Sequence, residues 1–196
     1  MPPSPSHTFV RMPCIAILST SVRTGRASHR VALHLERSIR EAGHEADLID
    51  LDELAFPLFS ERLKFQEDPA PATVAFAERI RQADAVVFVT PEYNGSIPAS
   101  VKNVVDLLVD EWRRKPVGIA AVSSGAFGGT QALMVLLTTL WKIKAWVSNT
   151  PLNVPKVKDQ FNEEGVPADP DAWAKRTKGF LDDLLWCVEA VRRMAS

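Results

Sequence analysis

The chain has 196 residues, of which 46% are hydrophobic and 24% charged, and its formal net charge is −1. These values are typical of one globular domain with a sizeable core, and they argue against intrinsic disorder. A near-neutral charge balance gives no electrostatic basis for binding nucleic acid or an anionic membrane, so neither partner is expected.

The domain is predicted to occupy residues 13–196, after a disordered tail at residues 1–12 that is rich in Pro and Ser. No apolar run reaches the length that a membrane span needs, and the tail lacks the apolar centre of a signal peptide. We therefore expect a cytoplasmic protein. The two cysteines, Cys14 and Cys187, are expected to be buried thiols and not a disulfide or a metal pair.

Strand and helix patterns alternate along the whole domain. A continuous apolar run indicates a buried strand, and apolar residues at helical spacing indicate a helix. The apolar runs predict strands at residues 14–18, 45–51, 85–89, 117–122 and 145–148. The helical spacing predicts helices between Ser28 and Gly43, at 73–83, 99–110 and 130–140, and from Asp169-Pro170 onward. The segments 56–71 and 151–167 are expected to be irregular.

Several apolar side chains are expected on the inner faces of these helices. The predicted inward residues are Val31, Leu35 and Ile39, then Val74, Ala77 and Ile80, then Val101, Val104, Val105 and Leu108, then Leu133, Leu136, Leu137 and Leu140, and finally Trp173, Phe180, Leu184 and Val191. Five strands alternating with helices predict an α/β three-layer sandwich. Right-handed crossovers favour a five-stranded parallel sheet of order 2-1-3-4-5, with its switch point between the first and third strands.

The loop after the first strand has the composition of a phosphate site. Hydroxyl side chains at Ser21 and Ser28 can donate hydrogen bonds, and Gly25 allows the backbone to approach a ligand closely. Arg23 and Arg26 add positive charge next to a helix N-terminus, which favours anions. The alternative is that Ser28 only caps the helix and that both arginines are solvated.

Two further loops should open at the same edge of the sheet. Residues 90–103 follow the most apolar strand and contain an Asn94-Gly95 turn before a new helix. Residues 123–129 are rich in glycine and can supply flexible backbone. The alternative for Gly125, Gly128 and Gly129 is that they only permit tight packing between a strand and a helix.

These three loops together resemble the NADPH-dependent FMN reductase family, which has the flavodoxin-like fold. Ser21, Arg23 and Ser28 fall on its Gly-Ser-x-Arg-x-x-x-x-Ser pattern, Arg26 matches a frequent basic position, and Thr20 replaces the usual glycine. The second loop matches the family string Pro-Glu-Tyr-x-Gly-Ser-x-Pro, followed by Lys-Asn. The third loop contains the Phe-Gly-Gly sequence that is frequent there.

The resemblance implies an FMN-dependent oxidoreductase. It would pass a hydride from NADPH or NADH to FMN and then electrons to a flavin, quinone, azo compound or metal oxyanion. No side chain is expected to be catalytic, because the flavin carries the chemistry. The implied cofactor-binding residues are Ser21, Arg23, Arg26, Ser28, Pro91, Glu92, Tyr93, Asn94, Gly95, Ser96, Ser124, Gly125, Phe127 and Gly128.

The resemblance also implies a homodimer or homotetramer. The helix through Leu108, together with Trp112 and Trp141, is the expected contact surface between subunits. Two other functions remain open at this point: a flavodoxin-type electron carrier, and a binding module that keeps the fold without flavin. The four histidines show no metal-ligand spacing, and the three on or near the first helix are expected to be solvated or to cap it.

Overall fold

The computed structural model describes residues 11–195, so most of the predicted tail lies outside the described residues. The strands are β1 (Cys14–Ser19), β2 (Glu45–Asp50), β3 (Ala85–Pro91), β4 (Pro116–Val122), β5 (Trp146–Val147) and β6 (Leu152–Val154). The helices are α1 (Ser28–Glu41), α2 (Leu51–Leu54), α3 (Pro71–Gln82), α4 (Ala99–Leu107), α5 (Thr130–Lys142), α6 (Val157–Gln160) and α7 (Pro170–Ala195). Two short 3₁₀ turns lie at Leu63–Phe65 and Asp110–Trp112.

The strands form one parallel sheet in the order β2-β1-β3-β4-β5, which confirms the predicted topology. The central strand β3 pairs with β1 on one side and with β4 on the other. Its first six residues are all buried, which explains why they form a continuous apolar run. The switch point therefore lies between β1 and β3, where open α/β sheets bind their ligands.

Helices cover both faces of the sheet and enclose two cores. On one face, α1 and α7 pack against the sheet through Val31, Leu35 and Phe180. On the other face, α3, α4 and α5 bury a second cluster that includes Phe76 and Leu136. Because each face is closed by helices, the carboxyl-end loops are the part of the sheet that remains open to a ligand.

The sheet edge differs from the prediction. The fifth strand is split, because β5 pairs with the start of β4 whereas β6 pairs with its end. The segment 151–167 is therefore not irregular throughout: it contains β6 and α6. The three-residue β6 is flanked by Pro151 and Pro155, and such a short run carries too little periodicity to be recognised as a strand.

Some of the predicted helix faces are also wrong in detail. Val74 is 47% exposed, and Thr73 and Phe76 occupy the buried face of α3 in its place. Leu137 is 36% exposed on α5. His34 is not solvated but lies in the core beneath α7. These positions lie at the borders of apolar stripes, where spacing alone does not define the direction of a side chain.

Candidate functional site

Three loops converge at the carboxyl ends of β1, β3 and β4 and enclose an open cleft of about 250 Å³. The loops are the segments between β1 and α1, between β3 and α4, and between β4 and α5. The cleft is lined by Ser21, Arg23, Thr24, Gly25, Arg26, Ala27, Ser28, Pro91, Glu92, Tyr93, Val122, Ser123, Ser124, Val157 and Lys158. The lining thus combines hydroxyls, cationic side chains and one aromatic ring.

The first loop is tied to the sheet at its start. Thr20 is fully buried, and both its backbone N–H and its hydroxyl donate to the carbonyl oxygen of Val89, at 3.2 and 2.9 Å. Thr20 has no positive φ, so the position does not require the glycine that the resemblance leads one to expect. Gly25 does have a positive φ of 70°, and it turns the loop toward α1.

Ser28 is the residue of the first loop whose surroundings best suit an anion. Its side chain is 3% exposed, and its Oγ has no hydrogen-bond partner among the described residues. Ala27, not Ser28, precedes the first turn of α1, and no side chain in the described part of the chain caps the start of that helix. Buried hydroxyls are normally hydrogen-bonded, and the first N–H groups of a helix lack internal partners. An oxygen-rich anion at this position would satisfy both requirements.

Arg26 is engaged by a carboxylate at the end of β2. Both of its Nη atoms donate to the two carboxylate oxygens of Asp50, and Nη1 also donates to the Ser21 carbonyl oxygen at 2.9 Å. Burial would lower the Arg26 pKa, but the hydrogen bonds and the negative charge of Asp50 outweigh it and raise that pKa above its usual value. Arg26 therefore connects the first loop to the end of β2, and Asp50 largely neutralises its charge.

The second loop forms a tight hairpin that presents Tyr93 to the cleft. Asn94 and Gly95 have φ values of 50° and 74°, and the backbones of Tyr93 and Ser96 exchange two hydrogen bonds. This is the geometry of a type I′ turn, for which Asn-Gly is the preferred sequence. The Tyr93 hydroxyl lies 2.6 Å from the Ser21 Oγ, so the hairpin is joined to the first loop.

The Glu92 carboxylate is engaged by the N-terminus of α5. Its Oε2 accepts hydrogen bonds from the backbone N–H groups of Gln131 and Ala132, at 2.9 and 3.3 Å. A carboxylate at this place satisfies two unpaired donors of the first turn of α5 and complements the helix dipole. Glu92 thereby fixes the second loop relative to the third.

The glycines of the third loop have different surroundings. A Cβ at Gly129 would lie 2.8 Å from the Val122 nitrogen, so this glycine is required by close packing. Gly128 also has a positive φ and lies against Asn153, which donates to its carbonyl oxygen at 3.0 Å. A Cβ at Gly125 would meet nothing within 4 Å. The packing alternative therefore applies to Gly128 and Gly129, whereas no neighbouring atom restricts the residue type at Gly125.

Eight of the predicted site residues line one cleft, and six do not. The eight are Ser21, Arg23, Arg26, Ser28, Pro91, Glu92, Tyr93 and Ser124. The six outside its lining are Asn94, Gly95, Ser96, Gly125, Phe127 and Gly128. Lys158 also lines the cleft, from α6, and it is absent from the predicted site residues. Its only signal in the sequence is a positive charge in a segment that is predicted to be irregular. Within residues 11–195, no group of His, Cys, Asp and Glu side chains is suited to a metal ion.

The sequence matches the description NADPH-dependent FMN reductase over residues 13–159. The chain belongs to the NADPH-dependent FMN reductase family. It is 28% identical over 193 residues to the NAD(P)H-dependent FMN reductase LOT6 of Saccharomyces cerevisiae. The matched region covers 91% of this chain and 98% of that relative. It is 39% identical over 143 residues to a quinone reductase of Escherichia coli K12, covering 70% and 74% of the two chains.

A solved structure supports the fold independently. FerB, a flavoenzyme NAD(P)H:(acceptor) oxidoreductase from Paracoccus denitrificans, superposes with a TM-score of 0.78 at 22% identity and covers 91% of this chain and 98% of its own. This likeness shows the flavodoxin-like fold. The family match and the curated relatives identify the protein as an NAD(P)H-dependent flavin oxidoreductase with FMN as its cofactor. No helix among residues 11–195 has the length and apolar character needed to cross a bilayer.

The cleft of this family member fits the phosphate end of FMN. The unpartnered Ser28 hydroxyl and the first turn of α1 provide donors for a phosphate, and Arg23 provides an exposed cation. The Arg23 guanidinium carbon lies 5.7 Å from the centre of the Tyr93 ring, so charge and aromatic surface are adjacent.

Proposed function

We propose that the protein transfers electrons from NAD(P)H through FMN to a quinone. The cleft is the observation that best supports a planar acceptor. It is open to solvent, and the aromatic ring of Tyr93 forms part of its wall. The Escherichia coli relative named a quinone reductase supports the same acceptor class. When bound, FMN supplies the hydride and electron chemistry.

The residues of the cleft would bind and orient, and none is placed to act as a general base. Among the described lining residues, Glu92 is the one carboxylate, and both of its hydrogen bonds serve α5. No His or Cys is found among the residues of 11–195 that line the cleft. The first loop would hold the phosphate through Ser21, Ser28 and Arg23, and the backbone of Pro91 and Glu92 would lie along the ring.

The acceptor is tested by steady-state kinetics of the FMN-loaded protein with a benzoquinone, an azo dye and excess free FMN. We expect the quinone to have a kcat/KM roughly tenfold or more above the other two, because a small planar acceptor can stack on an open face without further contacts. A higher kcat/KM for the azo dye or for free FMN would contradict the quinone assignment.

We infer in addition that the protein is a homo-oligomer. Only part of the predicted contact surface is available to a second subunit. Leu108 and Trp112 are 3% and 0% exposed, so these two residues are part of the core and cannot contact a second subunit. Trp141 is 77% exposed. It belongs to an apolar face, here called the α5 face, formed by Met134, Leu137, Trp141 and Trp146.

The α5 face is suited to a second copy of the chain. Three of its members are large apolar side chains that extend along the solvent side of one helix, and a cleft of about 450 Å³ lies between Leu137, Trp141 and Trp146. Contiguous apolar surface of this kind is normally covered in solution. A symmetric pairing of two helices would cover both copies of the face at once.

Light scattering is expected to give a mass greater than one chain for the wild type and a smaller mass for Trp141→Glu, because the new carboxylate would be buried in the contact. Val166→Glu is the matched control, since Val166 is 48% exposed and lies outside the α5 face. A monomeric wild type, or an unchanged mass for Trp141→Glu, would refute this interface.

A further inference from the structure

The first loop supplies less positive charge to the cleft than its sequence suggests. A phosphate monoester carries a charge of about −1.5 to −2 at neutral pH. Of the two arginines in the loop, Arg26 is paired with both carboxylate oxygens of Asp50 and also lies 3.7 Å from a carboxylate oxygen of Asp52. Arg23 is thus the only cation that this loop leaves free for the ligand.

A second free cation borders the cleft on another wall. Lys158 is an exposed residue of α6 that lines the cleft together with Ser28 and Ser123, and it has no ion-pair partner among residues 11–195. It is 130 residues from Ser28 in the chain, so no local motif could associate the two.

The position of Lys158 is fixed by backbone contacts and not by chance proximity. The N–H of Ser123 donates to the Val154 carbonyl oxygen at 3.0 Å, and the N–H of Val157 donates to the Ser123 carbonyl oxygen at 3.1 Å. The N–H of Lys156 donates to the carbonyl oxygen of Gly125 at 3.0 Å. Val157 is 3% exposed and belongs to the core. The end of β6 and the start of α6 are therefore joined to the third loop at the cleft wall.

We propose that Lys158 and Arg23 together neutralise the FMN phosphate. Arg26 is then a positioning residue that holds the first loop, which carries Arg23, in place. Arg26 acts through Asp50 and through the Ser21 carbonyl oxygen. The proposal rests on the proposed function, because it presupposes that FMN binds in this cleft. The 2′-phosphate of NADPH has the same chemistry, and the test separates the two sources.

The test is a fluorescence titration of the flavin-free protein with FMN and, separately, with riboflavin, which has the same ring but no phosphate. Lys158→Ala should weaken FMN binding by roughly tenfold or more, since a charge-assisted hydrogen bond is lost. Riboflavin affinity and the thermal midpoint should not change, and Lys158→Arg should retain most of the FMN affinity.

Lys156→Asn is the matched control. It removes a positive charge from the same segment, Lys156 does not line the cleft, and asparagine tolerates the positive φ of 45° at this position. FMN binding should remain within about twofold of the wild type, because an exposed charge outside the site contributes little. An equal loss of FMN affinity in Lys156→Asn and Lys158→Ala would overturn a specific contact.

The Lys158→Ala titration also distinguishes phosphate binding from other roles of Lys158. Unchanged FMN affinity in Lys158→Ala overturns the proposal, and so does an equal loss for FMN and riboflavin, which would indicate a structural role. Unchanged FMN affinity with a lower preference for NADPH over NADH would assign Lys158 to the 2′-phosphate instead. A wild type that binds neither flavin would refute the proposed function itself, and the inference with it.

Discussion

Gly129→Ala is expected to lower the free energy of unfolding by about 3 kcal/mol. The residue has a φ of 77°, which costs an L-residue roughly 1–2 kcal/mol, and overpacking adds about 1–3 kcal/mol. The added Cβ would lie 2.8 Å from the Val122 nitrogen and 3.0 Å from the Ala121 carbonyl carbon. Both neighbours are backbone atoms of β4, so neither can rotate away.

Thermal unfolding measures this effect, and for a chain of this size the midpoint should fall by about 6–12 °C. Gly125→Ala in the same loop is the control, because its Cβ would meet nothing within 4 Å and its φ is not positive. That variant should unfold within about 1 °C of the wild type. Equal midpoints for the two variants would show that β4 accommodates a methyl group at position 129 without cost.

His34 is expected to make stability fall as the pH is lowered. Burial, together with the positive charge of Arg37, lowers the pKa of His34 to about 4 from its usual 6.5. Its ring lies 5.1 Å from that of Phe161, and its Nε2 is 2.8 Å from the Thr177 hydroxyl. The folded protein therefore keeps a neutral imidazole under conditions where the unfolded chain binds a proton.

This difference in proton binding determines how the free energy of unfolding changes with pH. Below pH 6.5 the unfolded state takes up a proton that the folded state excludes, so the free energy of unfolding decreases as the pH falls toward 4. The contribution is fully present above pH 6.5, and its loss across this window is about 3 kcal/mol. Carboxylates titrate in the same range, so the wild type must be compared with a variant that cannot titrate at this position.

Urea unfolding of the wild type and of His34→Gln between pH 7.5 and 4.5 isolates the effect. Glutamine can still hydrogen-bond to Thr177 but has no proton to gain, so its pH-dependent loss should be smaller by about 2 kcal/mol. Parallel pH profiles for the two proteins would contradict this, because they would mean that His34 has the same pKa in the folded and unfolded states.

The sheet order could be predicted from the sequence because its signals are local. Each central strand is a continuous apolar run, and a parallel pairing with right-handed crossovers leaves few arrangements. The same holds for the hairpin at Asn94-Gly95, since only a few residue types adopt a positive φ at both positions. The loop at the edge strand was not predictable, because β6 is defined only by its pairing with the end of β4.

The site was predictable as a set of loops but not as a set of partners. The Arg26–Asp50 pair joins residues that lie 24 positions apart, and it exists because β2 and β1 end at the same level. No local spacing reveals that this arginine is neutralised. Lys158 was missed for a related reason: its place at the cleft depends on β6 and on backbone contacts with the third loop.

In the proposed mechanism this cleft binds FMN and allows NAD(P)H to reduce it. An anaerobic absorbance titration of the purified protein, first with FMN and then with NADPH or NADH, tests it most directly. We predict stoichiometric binding of FMN, followed by loss of the oxidised flavin absorbance on addition of the nucleotide. Bound flavin that remains oxidised with either nucleotide would exclude reduction by NAD(P)H and would favour an electron carrier that receives its electrons from another protein.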